Sequence, residues 1–297
     1  MGVKVGVIAD SAIDLPKGIA KKKNIHLIPC SVVINEKPKR HGIDIINQEV
    51  VEHLMQKDDV RTEPPTPLAY STAYKRISEE YDIIYSMNVG SDLSKCYENA
   101  QRGIKLLKTK KRAEERGFFF KNNIKLIDTK ASSIAQGQIT NRVASILKKQ
   151  AYNGAKLDKY IAWLIKNVSV FFVVDDLYWL MKSGKLNPFS KFIGKMFDVK
   201  PVLKLEKGNL VPADKQRGKD TAIDSMIRMA EEIIPKYKRG VEIWVAHSSA
   251  LLDAKHIRQQ LAMSAKIDKK KIPIVEIGAT ITAHAGPGVV SVSVLPK

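Results

Sequence analysis

The sequence predicts an α/β protein of two domains, an N-terminal parallel-sheet domain and a C-terminal domain with a mixed or antiparallel sheet, with a ligand site between them. Two observations carry that prediction. Over the first half, apolar β-type runs alternate with patterns of helical period, and such alternation makes a parallel sheet covered on both faces. Beyond Lys166 the composition shifts, and two short apolar runs flank Glu206-Lys207-Gly208-Asn209, a hairpin pattern that demands antiparallel pairing. The expected domains are therefore 1–166 and 167–297, and 297 residues suffice for two ordinary cores.

In the first half, residues 3–8 read as a strand, and Asp14 with Pro16 marks a helix start. Residues 26–34 read as a second strand, and Asn47 caps a helix that turns Val50, Val51, Leu54 and Met55 inward. The stretch 61–67 holds three prolines in its last four positions and is expected to be a rigid, extended loop. Thr66 and Pro67 then supply the cap and first position of a helix burying Ala73, Tyr74, Ile77 and Tyr81. An apolar strand at 83–89 and the turn Gly90-Ser91-Asp92-Leu93-Ser94 feed a helix with Leu93, Cys96, Tyr97, Ala100, Ile104 and Leu107 on one face. A strand at 124–127, the turn Asp128-Thr129-Lys130 and a helix carrying Ile134, Ile139 and Val143 follow, then a helix over 157–167.

In the second half, a strand at 170–174 leads to a helix capped by Asp175 or Asp176 and ended by Gly184. Phe189, Phe192, Ile193, Met196 and Phe197 form an apolar helical face. After the hairpin come helices at 220–234 and 250–261, strands at 241–246 and 274–277, a Gly- and Pro-rich loop at 278–288, and a last strand at 289–295. No internal repeat is visible.

Composition narrows the function. The net charge of +19, from 50 Lys and Arg against 31 Asp and Glu, suits transient contact with an anionic membrane surface or an acidic partner. No aromatic-plus-basic motif or zinc-finger spacing accompanies that charge, so specific nucleic-acid binding is not expected. No apolar run approaches the roughly 18 residues of a membrane span. The first residues meet Asp10 and Asp14 rather than a signal cleavage site. The two cysteines, Cys30 and Cys96, lie in separate apolar segments without a disulfide framework, which fits a reducing cytoplasm. No GxxxxGK[ST], GxSxG or HExxH pattern occurs, so no nucleotide, cofactor or metal is expected from motif spacing.

What remains is a set of hydroxyl residues at strand ends. Asp10-Ser11, Gly90-Ser91 and Asp128-Thr129 stand at the carboxyl ends of three expected parallel strands, where such sheets gather ligands. His284 is flanked by Gly286, which permits close backbone approach, and by Pro287 and Gly288. Small hydroxyls, one histidine and much apolar surface suit an anionic head group with an apolar tail. The alternative is a Ser/His-dependent hydrolase of an acyl or phosphate ester, with Ser94 as nucleophile and His284 as base.

Ala9-Asp10-Ser11-Ala12-Ile13-Asp14-Leu15-Pro16, Thr62 to Pro67, Leu93-Ser94-Lys95-Cys96-Tyr97 and Ile127-Asp128-Thr129-Lys130 are similar, in order and spacing, to TDSxxDLP, TSQPSP, LSGTY and IDSK. Val174-Asp175-Asp176-Leu177-Tyr178-Trp179-Leu180, Ser183-Gly184-Lys185-Leu186 and the GxxxxxHxGPG pattern from Gly278 to Gly288 continue the match. The chain thus resembles, from end to end, the DegV family of bacterial lipid-binding proteins, the fatty-acid-binding (FakB) subunits of fatty acid kinase. The resemblance implies a non-enzymatic carrier of a long-chain fatty acid and a partner kinase subunit that phosphorylates the bound carboxylate for phospholipid synthesis. It places Thr62 and Ser94 on the carboxylate, His284 beside it and Lys185 where the family has an arginine, with Ser11 and Gly286 in turns of the same site. Glu63, Lys95 and Lys185 depart from the family pattern.

Overall fold

The structure is a computed structural model that describes residues 2–114, 123–149, 151–185 and 199–297. The chain begins β1 (Val5–Asp10), α1 (Ile19–Lys23), β2 (Ile25–Ile28), β3 (Ser31–Ile34), β4 (Lys37–Arg40), α2 (Asn47–Met55) and β5 (Val60–Glu63). It continues α3 (Pro67–Ile77), β6 (Ile83–Asn88), α4 (Cys96–Glu114), β7 (Asn123–Asp128), α5 (Ser133–Lys149) and α6 (Gly154–Asn167). Then come β8 (Ser169–Val173), α7 (Leu177–Lys182), β9 (Val199–Glu206), β10 (Asn209–Arg217) and α8 (Lys219–Ile233). The last elements are β11 (Val241–His247), α9 (Leu251–Ser264), β12 (Ile274–Glu276), α10 (Ala279–Ala285) and β13 (Val290–Pro296).

The N-terminal domain is built on a parallel sheet in the order β2-β1-β6-β7. Alternate residues of each strand point to opposite faces, so both faces must be covered. On one side Ile8, Ile28 and Ile84 pack against Tyr70, Tyr74 and Ile77 of α3 and Ala100 and Leu107 of α4. On the other, Val7, Ala9, Tyr85 and Met87 meet Ile139 and Val143 of α5 and Leu157, Ile161 and Leu164 of α6. The C-terminal domain has a separate mixed sheet in the order β10-β9-β8-β13-β11-β12, antiparallel except for the β11–β12 pair. Its outer face, through Phe171, Val173, Val290, Val292 and Val294, is covered by α8 and α9. Its inner face carries Val170, Leu203, Trp244, Ala246 and Val289.

Helix α5 lies between the two sheets. Gln136 Nε2 donates to the Met87 carbonyl of β6 (3.0 Å), while Gln138 Nε2 donates to the Glu242 carbonyl (2.8 Å) and its Oε1 accepts from Ser293 of β13 (2.6 Å). Buried amides thus satisfy backbone on both sides at once.

Several expectations change. Met55, expected to turn inward on α2, is exposed, while Val50 and Leu54 of that helix are buried. The stretch 26–34 is two strands in different sheets, because Pro29 has no N–H for the ladder and the Cys30 N–H turns to Ser11 Oγ (2.8 Å). Beyond that corner β3 joins a small antiparallel sheet, β4-β3-β5, so part of the expected loop at 61–67 is strand. Residues 279–285 are helix rather than loop. Ala279 and Ala283, one turn apart, seat that helix against Val32, Ile34 and Val60 of the small sheet, so tertiary contact overrides the flanking glycines. The apolar helix expected at 189–197 falls outside the described residues.

Candidate ligand-binding site

A cavity of about 520 Å³ opens where the carboxyl ends of the parallel strands face the inner side of the mixed sheet. Ala12, Val89, Ser91 to Cys96 and Ser132 to Ile134 approach it from the first domain, on the segments that follow β1, β6 and β7. The three strand ends converge through their own polar groups. Asp10 Oδ2 accepts from Val89 N (2.9 Å), Gly90 N donates to the Ala131 carbonyl (2.9 Å), and Ser91 Oγ donates to Asp128 Oδ2 (2.6 Å). Gly90 suits this close approach, since a Cβ would sit only 3.0 Å from the Lys130 backbone carbon. The opposite wall is apolar, with Val170, Phe172, Leu205, Leu210 and Val289 on the inner face of the mixed sheet. Strand alternation explains the selection, since Val170 and Phe172 face the cavity while Phe171 and Val173 enter the outer core.

Polar groups gather in one part of the lining. Thr62 on β5 and His284 on α10 come together because the small sheet packs on α10, and Thr62 Oγ1 lies 2.7 Å from His284 Nε2. With the proton on Nδ1, the threonine hydroxyl donates to Nε2 and Nδ1–H is left over; the Nδ1 atom is buried and has no hydrogen-bond partner. Burial, with the Lys185 charge as a second cause, pushes the His284 imidazole down to about 3, so it is neutral at physiological pH.

Lys185 is placed by the end of α7. Gly184 is left-handed (φ 71°), its N–H returns to the Met181 carbonyl and the Lys185 N–H to the Leu180 carbonyl (3.0 Å each), a Schellman closure that only glycine adopts without cost. The Lys185 ammonium then reaches the Leu93 carbonyl (2.5 Å) across the cavity, and burial pulls its pKa down from the ordinary lysine value. A cation held in such surroundings gains from an incoming anion.

The other expected residues take distinct places. Ser94 lines the cavity, and its hydroxyl accepts from Cys96 N (3.3 Å) and donates to Cys96 Sγ (3.2 Å). Ser11 holds the β2–β3 corner through Cys30 rather than facing the cavity. Gly286 lies behind Ala285 at φ 77°, where a Cβ would come within 2.0 Å of the Trp179 ring. Glu63 is at the mouth but is paired with Arg61 (2.6 Å), so its charge is occupied. A Ser94–His284 hydrogen bond, which a hydrolase would need, does not occur among the described residues, since each side chain has another partner. Ser183, Phe172 and Leu210 also line the cavity, and sequence reasoning missed them. The continuous apolar run of β8 marked Phe172 as strand but not which face it would take, and nothing local signalled the other two.

A family model described as uncharacterised protein, DegV family, matches residues 4–297. The chain belongs to the DegV family. Protein DegV of Bacillus subtilis is 26% identical over 293 residues, covering 98% of both chains. Among solved structures, a fatty-acid-binding DegV family protein from Thermus thermophilus superposes with a TM-score of 0.88 at 21% identity, covering 99% of this chain and 100% of that one. A stearic-acid-binding protein from Eubacterium ventriosum superposes at 0.87 with 19% identity, over 99% of this chain and 98% of that one. These likenesses extend over both sheets, so the two-domain α/β fold is that of the DegV structures.

Proposed function

We propose that this protein binds a long-chain fatty acid, with the carboxylate held by Lys185, Thr62, Ser94 and His284 and the tail laid along Val170, Phe172, Leu205, Leu210 and Val289. The observation that carries the reading is a largely apolar cavity containing one half-buried ammonium and, beside it, a neutral histidine with an unpartnered ring nitrogen. The fatty-acid-binding DegV family protein from Thermus thermophilus and the stearic-acid-binding protein from Eubacterium ventriosum support the same ligand class. At roughly 0.8 kcal/mol per buried methylene, a long tail offsets the several kcal/mol that association costs, while the polar groups fix its direction.

In this reading the protein is a carrier without its own chemistry. It presents the carboxylate to the catalytic subunit of a fatty acid kinase in the cytoplasm, with brief contact to an anionic membrane for loading. Ser11 and Gly286 act one layer back, steadying the corner that carries Cys30 and the helix end that carries His284. Native mass spectrometry of protein purified from cells tests the ligand: a co-purified fatty acid is expected, and an empty protein without affinity for any fatty acid overturns the reading. Addition of a fatty acid kinase catalytic subunit and ATP tests the partner through acyl phosphate formation.

A further inference from the structure

We propose that Asp10, Cys30 and Cys96 form a site for one thiophilic d10 metal ion, of the zinc or cadmium class, beside the cavity floor. A carboxylate oxygen of Asp10 and the two sulfur atoms all lie within 4.8 Å of one another, and all three residues are buried. A tetrahedral ion with Zn–S near 2.3 Å and Zn–O near 2.0–2.2 Å sets its ligand atoms about 3.5–3.8 Å apart, so closing the site takes a shift of about an ångström.

The surroundings suit such an ion. Asp10 Oδ2 is fixed by Val89 N (2.9 Å), whereas Oδ1 has the longer contact to Gln136 Nε2 (3.4 Å), so the carboxylate is oriented by its neighbours. Ala12, Val89, Leu93 and Ile281 surround the sulfurs with apolar surface, which excludes competing water. Both thiols line the cavity, so an ion has an entry path, and three protein ligands leave a fourth position open. Ser94 Oγ, already on Cys96 Sγ, is the nearby protein oxygen for it. The ligands come from the end of β1, the β2–β3 corner and the first residue of α4, so no short motif announces them.

The chain has two cysteines, so the test is clean. Reduced, lipid-stripped full-length protein is titrated anaerobically with Cd²⁺, and a cadmium–thiolate charge-transfer band saturating at one equivalent is expected. Zn²⁺ should remove it by competition. Cys30→Ser and Cys96→Ser should each cut affinity at least a hundredfold, and Asp10→Asn about tenfold. Should a variant fail to fold, Co²⁺ added to the unaltered protein gives an independent reading, with intense visible bands expected for tetrahedral thiolate coordination. No saturable band, a weak octahedral cobalt spectrum, unchanged affinity in folded cysteine variants, or a Cys30–Cys96 disulfide in place of ion binding overturns the proposal.

Discussion

Thr62 and His284 are 222 residues apart in the chain, yet their side chains share a 2.7 Å hydrogen bond. Thr62→Val keeps the shape and removes the hydroxyl, leaving both ring nitrogens unpartnered. An unsatisfied buried group costs about 1–3 kcal/mol, so the urea midpoint should fall accordingly, and fatty-acid affinity should fall with it. Lys185 carries the other half of the head-group reading. Lys185→Met is expected to lower fatty-acid affinity at least tenfold in calorimetric titration, while Lys185→Arg keeps the charge and most of the affinity; equal loss in both would mean that shape, not charge, matters there.

Titration at these residues has a definite sign. His284 and His41 are pushed down by burial, to about 3 and about 4, so between pH 5 and 6 the unfolded chain holds protons there that the folded one does not. Burial raises Asp10 to about 6 and Asp14 to about 7, so there the folded chain holds the extra protons. The histidines lose stability as pH falls through this window, joined by His26 and His247, which burial also pulls down, while the two carboxyls gain it and offset part of that loss. His284→Gln removes one histidine and should make the variant's stability, relative to the unaltered protein, rise as pH falls by about 1.4 kcal/mol per pH unit. Chemical denaturation at pH 5, 5.5 and 6 measures it, and an unchanged slope would place the proton on His284 in the folded state.

At the scale of elements, α5 is the piece that joins the two sheets, and Gly137 lets it pack closely against its neighbours. A Cβ there would lie 2.1 Å from the Asp14 carbonyl oxygen and 3.3 Å from the Trp244 ring. Alanine gains about 1 kcal/mol of helix propensity, but backbone cannot retreat as a side chain does. Gly137→Ala should therefore be net destabilising, by about 1–3 kcal/mol in denaturant unfolding. The elements legible in the sequence were those with local signals: Thr66-Pro67 at the start of α3, the strand-turn-helix from Ile83, Gly184 after α7, and the β9–β10 hairpin. The corner at Pro29-Cys30 and the helix at 279–285 were not, because each is decided by a partner remote in sequence, Ser11 for one and the small sheet for the other. The same holds within the site. Ser94 and His284 stood out by their turns and glycines, whereas the meeting of Thr62 with His284, and of Asp10 with both cysteines, exists only in three dimensions.

For the whole molecule, the net charge of +19 sets long-range behaviour more than any single ion pair. Part of it is concentrated where α1 meets the end of α5. Burial, and after it the neighbouring Lys148, Lys149 and Lys22 charges, pull the Lys23 ammonium down. Lys148 is tied to the carbonyl of Lys22 (2.6 Å), which orders this cluster without neutralising it. Each lysine near an anionic bilayer contributes about 1 kcal/mol, and the attraction acts over about 10 Å at 0.1 M salt. The protein should therefore co-sediment with phosphatidylglycerol vesicles at low salt, stay in solution with phosphatidylcholine vesicles, and detach from the former as salt rises toward molar. Lys22→Glu with Lys23→Glu should weaken the low-salt association while leaving fatty-acid affinity intact. Vesicle binding that survives molar salt would show that apolar insertion, not this field, brings the protein to a bilayer.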